Sequence, residues 1–314
     1  MITGSPLDPT STDGKSSKNI GYTFAVISSI GSGMSTVVGK WNLQAISPLL
    51  MNSLTFSVAT VLLTCTFLPL KGIRQVFTLT RRGWFWLSLF SASSQLAVWA
   101  FWAGVQRMDP TLATFLNRTE VLIAIFLGII FLKERFTRAE MVGAVLSIAG
   151  IVLMCLTLRA EYSSGFWLVL LGSLLFGVTE FISKIAVRHV EPFVLTYIRN
   201  MFLAAGYWIV FLAGGFGYEG LGRVWLGVLA LGFLGPILSR LMYFLALKRL
   251  ELSKVAVISQ SQPVFVIVIA VLALGQLPTF REIIGGILLT LGCLIMIGVR
   301  QRRPWNNRLR LTSR

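Results

Sequence analysis

Charged and amide side chains set inside long apolar runs are the chemistry this sequence offers. The run ATFLNRTEVLIAIFLGIIFLKER, residues 113–135, puts Asn117, Arg118 and Glu120 among residues suited to hydrocarbon. Later runs carry Glu180 with Lys184, Arg199 with Asn200, and Arg240, while SQSQPVF at 259–265 carries Gln260 and Gln262. An ionised side chain at mid-membrane depth costs about 2.5–3.5 kcal/mol on insertion scales, and each Leu, Ile, Phe or Val returns about 0.3–0.6 kcal/mol. A helix holding Arg118 and Glu120 therefore needs neighbouring helices or a watered cavity to accept both charges.

On a continuous helix, residues two apart do not face each other, so Arg118 and Glu120 each require another partner. Two readings follow. Either the pair lines a solute cavity, or Arg118 bonds carbonyls or a carboxylate elsewhere and ties helices together. Pro263 lacks an N–H and frees a carbonyl one turn earlier, open to a solute or water, or marking a plain kink. Glu180 and Lys184, four apart, suit a local ion pair, and Glu180 lies deep enough, like Glu120, to exchange a proton. Three interior cations, Arg118, Arg199 and Arg240, stand against these two acids. If they share one cavity, it favours a solute bearing a carboxylate, with Glu120 available to an ammonium group. Trp99, Trp102 and Tyr243 suit stacking on a flat or cationic solute, or ordinary membrane filling. Trp84, Trp86, Trp167, Trp208 and Trp225 read as interface anchors.

These residues must be carried by helices. Of 314 residues, 55% are hydrophobic and 13% charged, where soluble domains average about 25% charged. Apolar runs recur at about 20–39, 47–69, 83–106, 110–132, 139–158, 165–187, 192–213, 224–247, 252–274 and 282–299. Each is long enough to cross about 30 Å of hydrocarbon as helix, and too long and uniformly apolar for barrel strands. The expected fold is an all-α integral membrane protein of ten transmembrane helices.

The net charge of +16 sorts by topology, which argues against a nucleic-acid partner. With both termini inside, twenty basic residues fall in inner segments, five (Lys40, Arg107, Arg159, Arg223, Arg281) in outer connections, and three within spans. That asymmetry predicts cytoplasmic termini and a cell (inner or plasma) membrane location. Residues 1–18 are expected to be a disordered tail, and the basic tail 301–314 to anchor topology or meet anionic membrane lipids. Cys65, Cys155 and Cys293 read as small buried hydrophobes.

The second half overlays the first at a nearly constant shift. Gly21, Lys40 and Pro48 pair with Gly165, Lys184 and Pro192 at 144; Arg107, Glu140, Gly143, Leu146 and Gly150 pair with Arg249, Glu282, Gly285, Leu288 and Gly292 at 142. Two five-helix repeats, 19–160 and 161–300, result. An odd span count inverts one copy relative to the other, the plan of carriers whose solute site lies near the midplane at the repeat interface. Glycines 143, 150, 285, 286 and 292 read as close-packing positions.

FLKERFTRAEMVGAVLSIAGIVLM at 131–154 and LALGQLPTFREIIGGILLTLGCLIMIG at 272–298 resemble the EamA-type drug/metabolite transporters. In that family the fourth span of each half ends in a Leu-Gly-Glu-Arg-like turn, followed by a Gly-Ala-x-Leu-Ile-x-x-Gly opening. The chain departs from this at Lys133 and Gln276, and at Glu120-Val121, where relatives often read Glu-Pro. The resemblance implies export or exchange of amino acids, drugs or other metabolites and is silent on which.

No enzyme is expected. The single histidine, His189, is expected in a loop, and no Cys/His cluster, phosphate-cradling loop or nucleophile elbow is present in the sequence. No cofactor or metal is expected, and a homodimer is left open. The reading is a gradient-driven carrier of a small organic solute working by alternating access; a receptor or scaffold, or a lipid-type flippase, are the alternatives.

Overall fold

Helix starts follow local chemistry. Thr80 accepts a hydrogen bond from Gly83 N at 3.2 Å and opens one helix; Asp109 accepts from Thr111 N at 2.7 Å and opens another, with Pro110 in its first turn. Pro192 likewise occupies the first turn of a third. Within the apolar stretches, hydroxyls fold back onto carbonyls four residues earlier, as Ser53 does on Leu49 and Thr60 on Phe56, which lets them enter hydrocarbon without an unmet donor.

The computed structural model describes residues 12–71, 79–132, 138–155, 163–250, 255, 258–275 and 278–301, and every element in them is helical. In chain order these are α1 (Thr12–Asn42), α2 (Pro48–Lys71), α3 (Arg81–Gln106), α4 (Pro110–Asn117), α5 (Thr119–Leu132), α6 (Arg138–Cys155), α7 (Ser163–His189), α8 (Pro192–Ala213) and α9 (Leu221–Gly232). A π-helical segment, Phe233–Ser239, then leads into α10 (Arg240–Arg249), followed by α11 (Gln262–Leu274) and α12 (Phe280–Gln301). Helix α1 begins at Thr12, inside the segment expected to be disordered, because a nucleated helix extends at low cost into the polar residues before it. Lys133, Glu134, Gln276 and the tail from 302 lie outside the described residues, as does the side chain of Lys184.

Among the described residues, four stretches are long and apolar enough to cross a membrane unaided: Pro48–Thr66, Ser164–Val187, Pro192–Ala213 and Leu221–Arg249. Shorter apolar helices run over Met141–Leu153, Gln262–Ala273 and Ile283–Ile295. The expected count of ten is thus met only in part. The fourth run is divided at Arg118, and α1 and α3 are diluted by Ser and Gly. Large apolar side chains such as Phe85, Val145, Ile209, Leu226 and Leu272 stand exposed around the bundle, as an integral membrane protein requires.

The packing obeys the repeat. Helix α2 packs on α8 and α6 on α12, each an element with its own mate. Helix α3 packs on α7, while their mates, the α9–α10 span and α1, pack on each other; α5 on α7 is likewise matched by α11 on α1. At the α6–α12 crossing, a Cβ on Gly150 would lie 2.7 Å from Leu289 N, so only glycine permits that approach.

Two ends can be told apart. At the distal end, Lys40 Nζ donates to the carbonyls of Val105, Gln106 and Met108 at 2.9, 3.0 and 2.9 Å, and left-handed Gly220 (φ 81°) fits against Ala45. At the proximal end, Gly21 fits against Leu250 and Arg249, and Gly83 against Val190. One apolar cluster, with Phe56, Phe101, Leu112, Phe166 and Tyr207, lies toward the distal end. A second, with Phe90, Ile182, Val190 and Phe244, lies toward the proximal end.

Candidate functional site

The interior charges lie at the seam between these clusters. Arg118 interrupts its span: its N–H bonds Phe115 O at 3.0 Å, Val121 N bonds Arg118 O at 3.2 Å, and regular helix resumes at Thr119. The second repeat has its own turn at Gln260 and Ser261, the mates of Arg118 and Thr119. Both spans are therefore discontinuous at one repeat register, a device that turns backbone polar groups inward at depth.

The break overturns the expectation that Arg118 and Glu120 stay apart, which assumed a continuous helix. Arg118 Nη2 lies 3.7 Å from Glu120 Oε1. The stronger partners are in the other repeat: Nη1 donates to Ser259 O at 2.9 Å and Nη2 to Gln262 Oε1 at 2.7 Å. Ser259 is four residues before Pro263, so its carbonyl is the one that proline deprives of a helical donor. Arg118 thus binds the freed carbonyl and ties the two repeats. Its side chain is only 2% exposed.

Glu120 is less satisfied. Asn117 Nδ2 donates to its Oε2 at 3.4 Å, and Asn117 Oδ1 accepts from Ser173 Oγ of α7 at 3.3 Å. The Glu120 side chain keeps 19% of its surface. Gln262 is occupied by Arg118, whereas both polar atoms of the Gln260 amide are buried and have no hydrogen-bond partner among the described residues.

Glu180 pairs across 60 positions with Arg240, Oε1 to Nη1 at 2.6 Å, and accepts from Ser183 Oγ at 3.3 Å. The nearer Lys184, the expected partner, has its side chain outside the described residues. Arg240 is the first residue after the π-helical segment that contains Pro236, and π turns recur at functional sites. Its guanidinium lies 6.0 Å from the Phe176 ring centroid and 5.9 Å from that of Tyr243. Glu180 and Arg240 retain 14% and 23% of their side-chain surface. Glu120 is within Coulombic range of both.

Arg199 is 2% exposed. Nε donates to Ser94 Oγ at 3.1 Å and Nη1 to Asn200 Oδ1 at 3.3 Å, and the guanidinium sits 5.6 Å from both the Phe56 and the Phe90 ring centroids. One cation thereby joins the two apolar clusters.

Of the aromatic candidates, Tyr243 lies beside the Glu180–Arg240 pair. Trp102 fills the niche left by Gly39 of α1, next to the Lys40 contacts. Trp99, 39% exposed, shares an outward stripe of α3 with Phe85, Leu89 and Leu96. Its ring meets the surroundings of the bundle, not the charged seam. Trp208, read as an interface anchor, donates from Nε1 to Ser57 Oγ at 2.8 Å inside the α2–α8 contact.

Sequence reasoning missed three features. Proline 236 signals the π segment. The Lys40 contacts had a weaker signal, a basic residue repeated at 184. Ser94 as partner of Arg199 had none. Burial pushes the Lys40 amine below the ordinary lysine value, against the upward pull of the Asp109 carboxylate.

Known proteins resemble this chain in sequence and in fold. The model of the EamA-like transporter family matches twice, over residues 19–156 and 163–298. A relative in Synechocystis sp. (strain ATCC 27184 / PCC 6803 / Kazusa), named uncharacterized transporter sll1164, is 21% identical over 248 residues, spanning 74% of this chain and 71% of that one. A crystal structure of a protein 21% identical in sequence superposes with a TM-score of 0.67 over 91% of this chain and 99% of that one, a likeness of fold.

Proposed function

Because the chain belongs to the EamA-like transporter family, we propose that this membrane transporter is a gradient-driven carrier that exports or exchanges a small organic solute of amino-acid type by alternating access. Ten spans in two inverted halves, with both termini in the cytoplasm of a cell membrane, suit this role, as does the mirrored packing of the repeats. In this reading the chain is not an enzyme, and Glu120 and Glu180 are the acids able to couple transport to a proton.

The observation that carries the proposal is the accessible polar seam. Glu120, Glu180 and Arg240 keep 19%, 14% and 23% of their side-chain surface within their spans, Glu120 just after the break at Arg118 and Arg240 just after the π-helical segment. Charged groups at that depth that keep some surface face water or solute, since lipid offers no partner. Arg240 N–H groups beyond the one held by Glu180 suit a carboxylate, and Tyr243 and Phe176 supply ring faces beside it.

The test compares metabolites released by cells producing the wild-type protein, Arg240→Gln, or none. The reading expects at least one carboxylate-bearing metabolite to accumulate outside wild-type cells and to fall toward the empty-cell level with Arg240→Gln. Identical profiles in all three would remove it.

A further inference from the structure

The proposed site has a sign, and the structure assigns it: the group this transporter requires of its solute is an ammonium, received by the Glu120 carboxylate. The inference rests on the carrier reading above and narrows its solute class.

A count of interior charge favours an anion, with Arg118, Arg199 and Arg240 against Glu120 and Glu180. The geometry reverses that preference, because charge and contact belong to different residues. Arg118 and Arg199, each 2% exposed, are committed to protein acceptors and ring faces. They contribute field but present almost no surface to a solute. Among the described residues, the charged groups a solute can touch are Glu120, Glu180 and Arg240, two acids and one base. Glu180 and Arg240 close a 2.6 Å pair on each other, which leaves Glu120 as the unbalanced contact.

Glu120 is also the less satisfied of the two acids. Its contacts are an amide at 3.4 Å and a guanidinium at 3.7 Å, both long for charge-assisted bonds, which run about 2.7–2.9 Å when well made. A carboxylate offers about four acceptor positions. At mid-span, water or a bound donor must fill the rest. An ammonium brings three N–H donors and a compensating charge. The Tyr243 and Phe176 rings flanking Arg240 extend the same region, and Glu120 lies within Coulombic range of Tyr243 and Glu180 as well as of Arg118 and Arg240. The Gln260 amide, 4% exposed and without a hydrogen-bond partner among the described residues, marks further unfilled polar capacity at the matching turn. A carboxylate on the solute, where present, falls to the remaining N–H groups of Arg240.

The experiment measures binding to the full-length protein in detergent by thermal shift and intrinsic tryptophan fluorescence. Probes come in size-matched triads: ethylamine, alanine and propanoate; isoamylamine, leucine and 4-methylpentanoate; phenethylamine, phenylalanine and 3-phenylpropanoate. In at least one triad the amine and the amino acid bind and the carboxylate alone does not. Glu120→Gln weakens both binders about tenfold or more, the loss of one charge-assisted contact. Glu120→Asp restores part of it. Arg240→Gln weakens the amino acid more than the amine. The proposal is overturned by a carboxylate that outbinds its amine, by amine binding unchanged in a folded Glu120→Gln protein, or by no amine binding in any triad. Binding without transport would leave the ammonium site standing and remove the carrier reading instead.

Discussion

If Arg118 joins the repeats rather than contacting solute, Arg118→Gln is a stability variant first. The shorter amide cannot span to Ser259 O and Gln262 Oε1, bonded in the wild type at 2.9 and 2.7 Å. Two hydrogen bonds from a charged donor contribute about 1.5–3 kcal/mol each. Against this, withdrawing a buried guanidinium returns about 2.5–3.5 kcal/mol of insertion cost. The balance is a loss of about 1–3 kcal/mol, at the large end because Ser259 O has no substitute donor while residue 263 is proline. The assay is SDS-induced unfolding of purified protein, followed by tryptophan fluorescence, for Arg118→Gln, Gln262→Leu and the double variant. The two single losses should overlap by about 1–2 kcal/mol, well outside the roughly 0.3–0.5 kcal/mol scatter of independent sites. Additive losses, or an Arg118→Gln midpoint equal to wild type, would refute the tie between repeats.

Three other outcomes follow from the same geometry. Arg240→Gln leaves Glu180 without its 2.6 Å partner and should cost about 2–4 kcal/mol, less than a fully dry pair because both groups keep some access; adding Glu180→Gln should recover most of it in the same unfolding assay. Gly150→Val sets side-chain atoms into the α12 backbone, where a Cβ already approaches Leu289 N at 2.7 Å, and should lower the unfolding free energy by about 1–3 kcal/mol or more; an unchanged midpoint would mean that α6 and α12 do not cross so closely. Lys40, with desolvation outweighing Asp109, should lose its proton below the ordinary lysine value of 10.5: burial disfavours the charged form, so the amine gives up its proton earlier as pH rises. Carbon-13 dimethyl-lysine NMR reads this directly, and a midpoint at or above 10.5 contradicts the buried placement.

The fold was largely legible because its signals are local or periodic. Apolar runs of membrane length announced the helices, and a shift of 142–144 residues announced two halves, whose mates do pack in mirrored pairs. The glycine at 150 was readable as a packing position because no other chemistry suits it. The site was readable only as a set of residue types. Nothing in FLNRTEV breaks a helix locally, since it lacks Gly and Pro; the interruption at Arg118 coincides with partners 141 and 144 positions away. The Glu180–Arg240 pair spans 60 positions, beyond any helical spacing rule, so the local choice of Lys184 was the natural one. In spans that are apolar all round, periodicity does not separate a lipid-facing side chain from a core one. That is why Trp99 was grouped with Trp102.

Counterflow in proteoliposomes tests the carrier claim most directly. Vesicles holding the protein are loaded with an unlabelled mixture of the twenty amino acids and diluted into trace labelled ones. Alternating access predicts a transient accumulation of at least one label above its equilibrium level, absent from protein-free vesicles. Labels that only leak in, at the same rate with folded protein as without it, would contradict the account.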